Sequence, residues 1–141
     1  MAEVALVVGT LAAALLLGSM AFFSAVMAPL VFIELDAVTA GRFIRSVFPW
    51  YALVVLVLAA VAAAALAADR PVDAGIMAAV ALAASVSRQL LMPRINAYRD
   101  RALAGDAAAG RRFDALHRAS VWINAAQLLA SGVVMARLAA T

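Results

Sequence analysis

The chain has 141 residues, of which 68% are hydrophobic and 13% charged, with a formal net charge of +3 and no cysteine. Ordinary globular domains are nearer half apolar and a quarter charged, and a domain this small cannot bury so much apolar surface in water. The composition excludes a cytosolic enzyme, a secreted domain and a disordered tail, and the missing cysteine excludes disulfides and thiolate metal sites. A lipid bilayer is therefore the expected partner, and nucleic acid is not, because the arginines mainly flank apolar segments.

Four apolar segments follow one another along the chain. About 20 apolar residues cross the roughly 30 Å hydrocarbon core of a bilayer, and each segment can do so. They predict an all-α bundle of four transmembrane helices, built from two helical hairpins in a single integral-membrane domain over 1–141, with helices at about 4–33, 47–68, 73–98 and 113–138. The first is long enough that it must tilt or bend at Pro29.

The arginines indicate the orientation of these helices. They concentrate after the first helix, at Arg42 and Arg45, and after the third, at Arg94, Arg99, Arg101, Arg111 and Arg112. Because positively charged loops stay in the cytoplasm, these two long loops are expected inside and both termini outside. The sequence thus predicts a multi-pass protein of the cell membrane, specifically a bacterial inner membrane.

A weak internal repeat agrees with two similar hairpins. Pro29, Asp36, Ala40 and Gly41 recur 64 residues later as Pro93, Asp100, Ala104 and Gly105, and Arg42-Phe43 has an echo in Arg112-Phe113 after a short insertion. Two hairpins of one orientation would be a parallel repeat, related by an axis along the membrane normal. Chance similarity in an alanine-rich chain is the alternative.

Uncharged polar residues form one stripe on the fourth predicted helix. His117, Ser120, Asn124, Gln127 and Ser131 follow spacings of three and four, which place them on one helical face. Polar side chains facing lipid are penalised, so this face should point into the bundle. It either joins helices through hydrogen bonds or lines a ligand groove, whose candidate residues are His117, Ser120, Asn124, Gln127, Arg88, Gln89 and Ser24.

Two residues of this set carry hypotheses of their own. Arg88, near the inner end of the third helix, either extends its guanidinium to the interface or forms an ion pair with Glu34 or Asp36. His117 is a hydrogen-bonding residue at a helix start, or else a haem ligand or proton relay. It is the only histidine, so two-histidine haem ligation within one copy is ruled out, and neither a metal site nor a cofactor is expected.

Several motifs resemble one known family. They are GSMAFFSAVMAPLVFIEL at 18–35, GRFIRSVFPWY at 41–51, LLMPRINAYRDR at 90–101 and FDALHRASVWIN at 113–124. Together they resemble the transmembrane-protein-205-like family, which has bacterial members of unknown function. The resemblance implies a compact four-helix membrane domain and no reaction. Its motif positions carry no assigned chemistry; they are Pro29, Phe43, Pro49, Pro93, Phe113, His117, Ser120 and Asn124. A more distant likeness is to haem-pathway four-helix proteins, but this chain lacks their second membrane histidine.

The sequence favours a binding protein over an enzyme. It contains no recognisable catalytic nucleophile, phosphate loop or paired intramembrane carboxylates. We therefore expect a small or lipid-like ligand, or a partner, to bind through a polar groove that opens inward. The alternatives are a redox protein that binds haem or quinone near His117, and a small oligomeric transporter. A second copy of the chain or another membrane protein is the expected protein partner.

Overall fold

The computed structural model describes residues 2–140, and every regular element in that range is helical. Four helices follow one another: α1 (Ala2–Glu34), α2 (Ala37–Leu66), α3 (Pro71–Leu103) and α4 (Ala107–Ala139). Each is long and apolar enough to cross a membrane. A helix of 33 residues is about 50 Å long, which exceeds the roughly 30 Å hydrocarbon core. The predicted all-α bundle of four membrane-spanning helices is confirmed, and the chain is a multi-pass membrane protein.

The two long loops expected from the sequence are instead helical. Only Leu35 and Asp36 separate α1 from α2, and only residues 104–106 separate α3 from α4. Each following helix begins at an aspartate cap: the Asp36 carboxylate accepts hydrogen bonds from the backbone N–H groups of Val38 and Thr39 at 3.0 and 3.1 Å, and Asp106 caps α4 in the same way. These caps satisfy backbone donors that a helix start leaves unpaired, so the charged segments continue the helices. We call the end of the bundle that contains residues 35–45 and 94–112 the arginine-rich end. The end that contains the α2–α3 connection, residues 67–70, is called the opposite end.

A π-helical turn interrupts α1 at Phe23–Met27 and α3 at Ser87–Leu91. Each turn ends two residues before a proline, Pro29 or Pro93. Proline lacks an N–H group, and its ring clashes with the carbonyl four residues earlier, which in both helices lies inside the π turn. The wider turn accommodates that carbonyl, so the irregularity in α1 comes just before Pro29.

The paired π turns support the internal repeat and correct its alignment. The turns begin at Phe23 and Ser87, 64 residues apart, whereas α2 and α4 begin at Ala37 and Ala107, 70 residues apart. The insertion therefore precedes the fourth helix. Asp106 is the counterpart of Asp36, since both cap a helix, and Asp100 has a different role, described below.

The hydrophobic core is formed mainly by α1, α2 and α3. α2 lies between the other two and buries small residues along its length, among them Ala59 and Ala62. Gly9 of α1 faces Leu66 so closely that an added Cβ would lie 2.8 Å from the Leu66 side chain. Close approach of backbones over small residues is how membrane helices gain van der Waals contact. In the described part of α4, two of the four buried residues are polar, Gln127 and Ser131.

Candidate functional site

Three helices meet at a partly buried polar contact near the arginine-rich end. The Tyr51 hydroxyl of α2 donates to Asn124 Oδ1 of α4 at 2.6 Å, and Asn124 Nδ2 donates to Ser24 Oγ of α1 at 3.0 Å. Phe23 stacks on Tyr51 with ring centroids 4.1 Å apart. The cavity beside them measures about 10 Å³, which is room for about one water. These polar groups therefore bond to one another and leave no space for a larger ligand.

The remaining polar residues of the α4 stripe also bond within the protein. The buried Gln127 amide donates to the backbone carbonyl of Val80 in α3 at 3.0 Å, and the Ser131 hydroxyl donates to the Gln127 carbonyl at 2.8 Å. The Ser120 hydroxyl donates to the His117 carbonyl of its own helix. Asn124 and Gln127 thus fasten α4 to its neighbours, as the structural interpretation of the stripe expects, whereas Ser120 and Ser131 bond within α4.

The side chains of two of the three remaining candidate groove residues, His117 and Gln89, do not take part in these contacts. His117 is exposed, and its ring stacks on Phe113 at 5.7 Å between centroids. Gln89 is exposed and donates to Ser85 Oγ on the same helix at 3.1 Å. Within residues 2–140 no three histidine, aspartate or glutamate side chains come together where they could hold a metal ion. The structure thus brings Ser24 and Asn124 into contact and places Ser120, Asn124 and Gln127 around the same small cavity, whereas His117 and Gln89 are exposed.

Arg88 bonds to a different element from the one expected. Its Nε donates to the backbone carbonyl of Pro49 in α2 at 3.2 Å, and the structure brings neither Glu34 nor Asp36 to it. Asp36 serves as the cap of α2 instead. Within residues 2–140, this is the one hydrogen bond that the Arg88 guanidinium donates, so its two terminal Nη groups are available to a ligand.

Arg88 forms part of an open groove between α2 and α3 at the arginine-rich end. The groove measures about 420 Å³, within the range of ligand sites. Arg45 of α2 and Asp100 of α3 cross one part of it through two parallel hydrogen bonds of 2.7 and 3.1 Å, and their side chains are 45% and 54% exposed. The lining residues are Arg45, Pro49, Arg88, Met92, Pro93, Asn96, Ala97 and Asp100.

A second charged cluster, at the opposite end, was not found from the sequence. Asp73, in the first turn of α3, has a fully buried side chain, and Arg137 of α4 donates to its Oδ1 through Nε. From the described residues its Oδ2 accepts no hydrogen bond, and this oxygen lies 3.8 Å from Arg70 Nη1. One feature of the sequence could have located this cluster. Charged residues are scarce at this end, so an acidic and a basic residue there are expected to form an ion pair. The cluster ties the end of α4 to the start of α3.

The aspartate caps at the arginine-rich end have shifted pKa values. The hydroxyl and the backbone N–H of Thr39 hold the pKa of the Asp36 carboxyl below its usual range. The backbone N–H of Ala109, helped by the Arg101 guanidinium, does the same for the pKa of Asp106. Both carboxylates are thus stabilised in the charged form that accepts these hydrogen bonds.

Comparison with known protein families assigns the chain to one of them. A family model described as "Domain of unknown function (DUF4149)" matches residues 11–104. The chain belongs to this family. The matched region contains every residue that lines the groove between α2 and α3, whereas the polar stripe of α4 lies beyond it. No curated protein and no solved structure matches the chain.

Proposed function

We propose that this DUF4149-family membrane protein binds a lipid-like amphiphile in the groove between α2 and α3. The observation that carries the proposal is an open, ligand-sized groove containing an arginine held by one hydrogen bond to the protein. A half-buried arginine at membrane depth is costly and usually marks a functional contact. The role is binding rather than catalysis.

The depth of the groove suits an amphiphile. Arg88 comes 17 residues after Pro71, the first residue of α3, which is about 26 Å along a helix and close to the far edge of the hydrocarbon core. Trp50, next to Pro49, is 70% exposed, as is common for tryptophan where lipid headgroups meet acyl chains. A ligand here would have its polar head beside Arg88 and its apolar part towards the lipid.

The chemistry of the lining supports the same ligand class. Pro49, Met92, Pro93 and Ala97 offer apolar contacts, whereas Arg45 and Asn96 offer hydrogen-bond donors. The α4 stripe, which the sequence favoured, supports the proposal less because its polar groups already bond within the protein. A mixed lining of this kind is typical of small-molecule sites.

Blocking the groove tests the proposal. In Ala97→Trp a large ring would fill the groove, whereas Ala60→Trp places the same ring on the exposed surface of α2 outside it. Mass spectrometry of the gently extracted proteins should find an amphiphile with the wild type and Ala60→Trp and a severalfold smaller amount with Ala97→Trp. Equal amounts in all three would refute binding in this groove.

We further propose that the arginine-rich end faces the cytoplasm of a bacterial inner membrane, with both termini outside, and that the family relationship extends to the transmembrane-protein-205-like proteins. The arginine distribution and the quoted motifs support these two points. Because the chain has no cysteine, single cysteines can be labelled without background. Ala68→Cys, beside the α2–α3 turn, should react with an impermeant thiol reagent in intact cells, and Ala108→Cys only after permeabilisation. The reverse labelling pattern would show that the arginine-rich end faces outside.

A further inference from the structure

We infer that the groove selects an amphiphile whose headgroup is a phosphodiester carrying a single negative charge, bound by Arg88 together with Arg45. This inference rests on the proposed function and specifies its ligand class. It concerns the polar end of the ligand only. The acyl or other apolar part would contact Pro49, Met92 and Pro93.

The charges of the lining argue for one negative charge on the ligand. Its charged groups are Arg45, Arg88 and Asp100, two positive and one negative, which leaves a net charge of +1. A phosphodiester carries one negative charge and would neutralise the groove. A phosphomonoester, at about −1.5 to −2, would exceed that charge, and a zwitterionic headgroup would leave it uncompensated.

The geometry of Arg88 favours a phosphoryl oxygen as the acceptor. Its Nε bond to the Pro49 carbonyl fixes the plane of the guanidinium, and among the described residues its Nη groups have no bonded acceptor. Arginine presents paired N–H groups that fit two oxygens of a phosphate or a carboxylate, so the geometry requires an oxyanion, of which a phosphodiester is the membrane-lipid form with one charge. Because one bond already orders this side chain, binding a headgroup costs less conformational entropy.

The ion pair between Arg45 and Asp100 allows a second, independent test of this inference. The Asp100 carboxylate accepts both hydrogen bonds that Arg45 makes in the groove, so it occupies the donors that a phosphodiester would use. Asp100 therefore competes with the ligand for Arg45. Its removal should strengthen binding, whereas removal of Arg88 should weaken it.

The test is a lipid titration of the detergent-solubilised full chain, followed by native mass spectrometry. Wild-type protein should bind phosphatidylglycerol, a phosphodiester with one net charge, about tenfold more tightly than phosphatidylcholine with the same acyl chains. Arg88→Gln should lose about tenfold in phosphatidylglycerol affinity, which is typical for one charged hydrogen bond. Arg88→Lys keeps the charge but lacks the paired N–H groups and the Nε bond to Pro49, so it should retain only part of that affinity. Asp100→Asn should gain about threefold.

Matched controls separate the groove from the general charge of the surface. Arg111→Gln and Asp114→Asn make the same charge changes at exposed positions outside the lining and should leave the affinities unchanged. If they act as strongly as Arg88→Gln and Asp100→Asn, the inference fails. If Arg88→Gln does not fold, two measurements still test the inference. They are the comparison of the two lipids on the wild type and the comparison of Asp100→Asn with its control Asp114→Asn.

The remaining outcomes distinguish the inference from the proposed function. Equal binding of both lipids, lost in Ala97→Trp, would overturn the headgroup inference and leave the amphiphile proposal standing. Binding of neither lipid would overturn both. The water-soluble headgroup glycerophosphoglycerol should bind much more weakly than the intact lipid; equal affinity would show a free phosphodiester as ligand and overturn the lipid assignment.

Discussion

Helices α2 and α4 are held in the same bundle by different interactions. α2 packs between two neighbours through alanines and a close approach to Gly9, with its core residues almost fully buried. α4 exposes most of its length and is fastened by single polar contacts, from Asn124, Gln127 and Arg137. Lipid is as apolar as leucine, so helices in a bilayer gain stability either from close packing or from polar bonds. Of these two helices, α4 is therefore the one whose attachment depends on a few replaceable side chains.

The largest expected effect comes from the ion pair at the opposite end. Arg137→Ala leaves the Asp73 carboxylate buried without its partner, a change that costs about 3–5 kcal/mol for fully buried pairs. Because the Arg137 side chain is 48% exposed and Arg70 lies near the carboxylate, we expect about 2 kcal/mol. Thermal unfolding in detergent measures it, with Arg111→Ala as the control. An unchanged melting temperature for Arg137→Ala would show that its ion pair with Asp73 does not stabilise the attachment of α4.

The close approach of α1 to α2 gives the next effect. Gly9→Ala places a Cβ 2.8 Å from the Leu66 side chain, and overpacking of this kind costs about 1–3 kcal/mol. Gly18→Ala on the same helix meets no atom within 4 Å and should be neutral or slightly stabilising. Unfolding curves of the two variants compare them directly. Equal stabilities would mean that small residues do not hold α2.

The contact of three helices at Asn124 should contribute less. Asn124→Ala removes the hydrogen bonds to Tyr51 and Ser24, and membrane hydrogen bonds average about 0.6 kcal/mol each, so we expect a loss of about 1 kcal/mol. Tyr51→Phe, which removes one of the two bonds, should lose about half. Limited proteolysis should show α4 released first in Asn124→Ala. Release of α2 before α4 would reverse the comparison between them.

The smallest effect is a loss of stability in acid at the helix caps. The pKa values of Asp36 and Asp106 are lower in the folded chain than the usual value of about 3.9 for an unfolded aspartate. Their contribution is therefore complete above that value and is lost as the pH falls through the lowered pKa. The melting temperature of the wild type should fall between pH 7 and pH 3. It should fall by less in the double variant Asp36→Asn, Asp106→Asn, because asparagine caps a helix without titrating. An identical acid shift would assign it to other groups.

Much of the fold follows from composition and spacing, because four apolar segments of sufficient length require four spanning helices. The charged segments after α1 and α3 were expected as loops because they are polar, whereas aspartate caps and alanine allow them to continue as helices. The pairing of Asp73 with Arg137 joins residues 64 apart, and no local pattern marks such a pair. Arg88 could be singled out by its position, but its partner is a backbone carbonyl, which side-chain patterns do not indicate.

The most direct test of the account is where a bound amphiphile touches the chain. A photoactivatable phosphatidylglycerol, cross-linked to the protein in membranes and mapped by peptide mass spectrometry, should label residues 45–50 and 88–100, which border the groove. Labelling should fall in Ala97→Trp and persist in Ala60→Trp. Labels concentrated on residues 117–127 of α4 would contradict the account and return the binding site to the polar stripe.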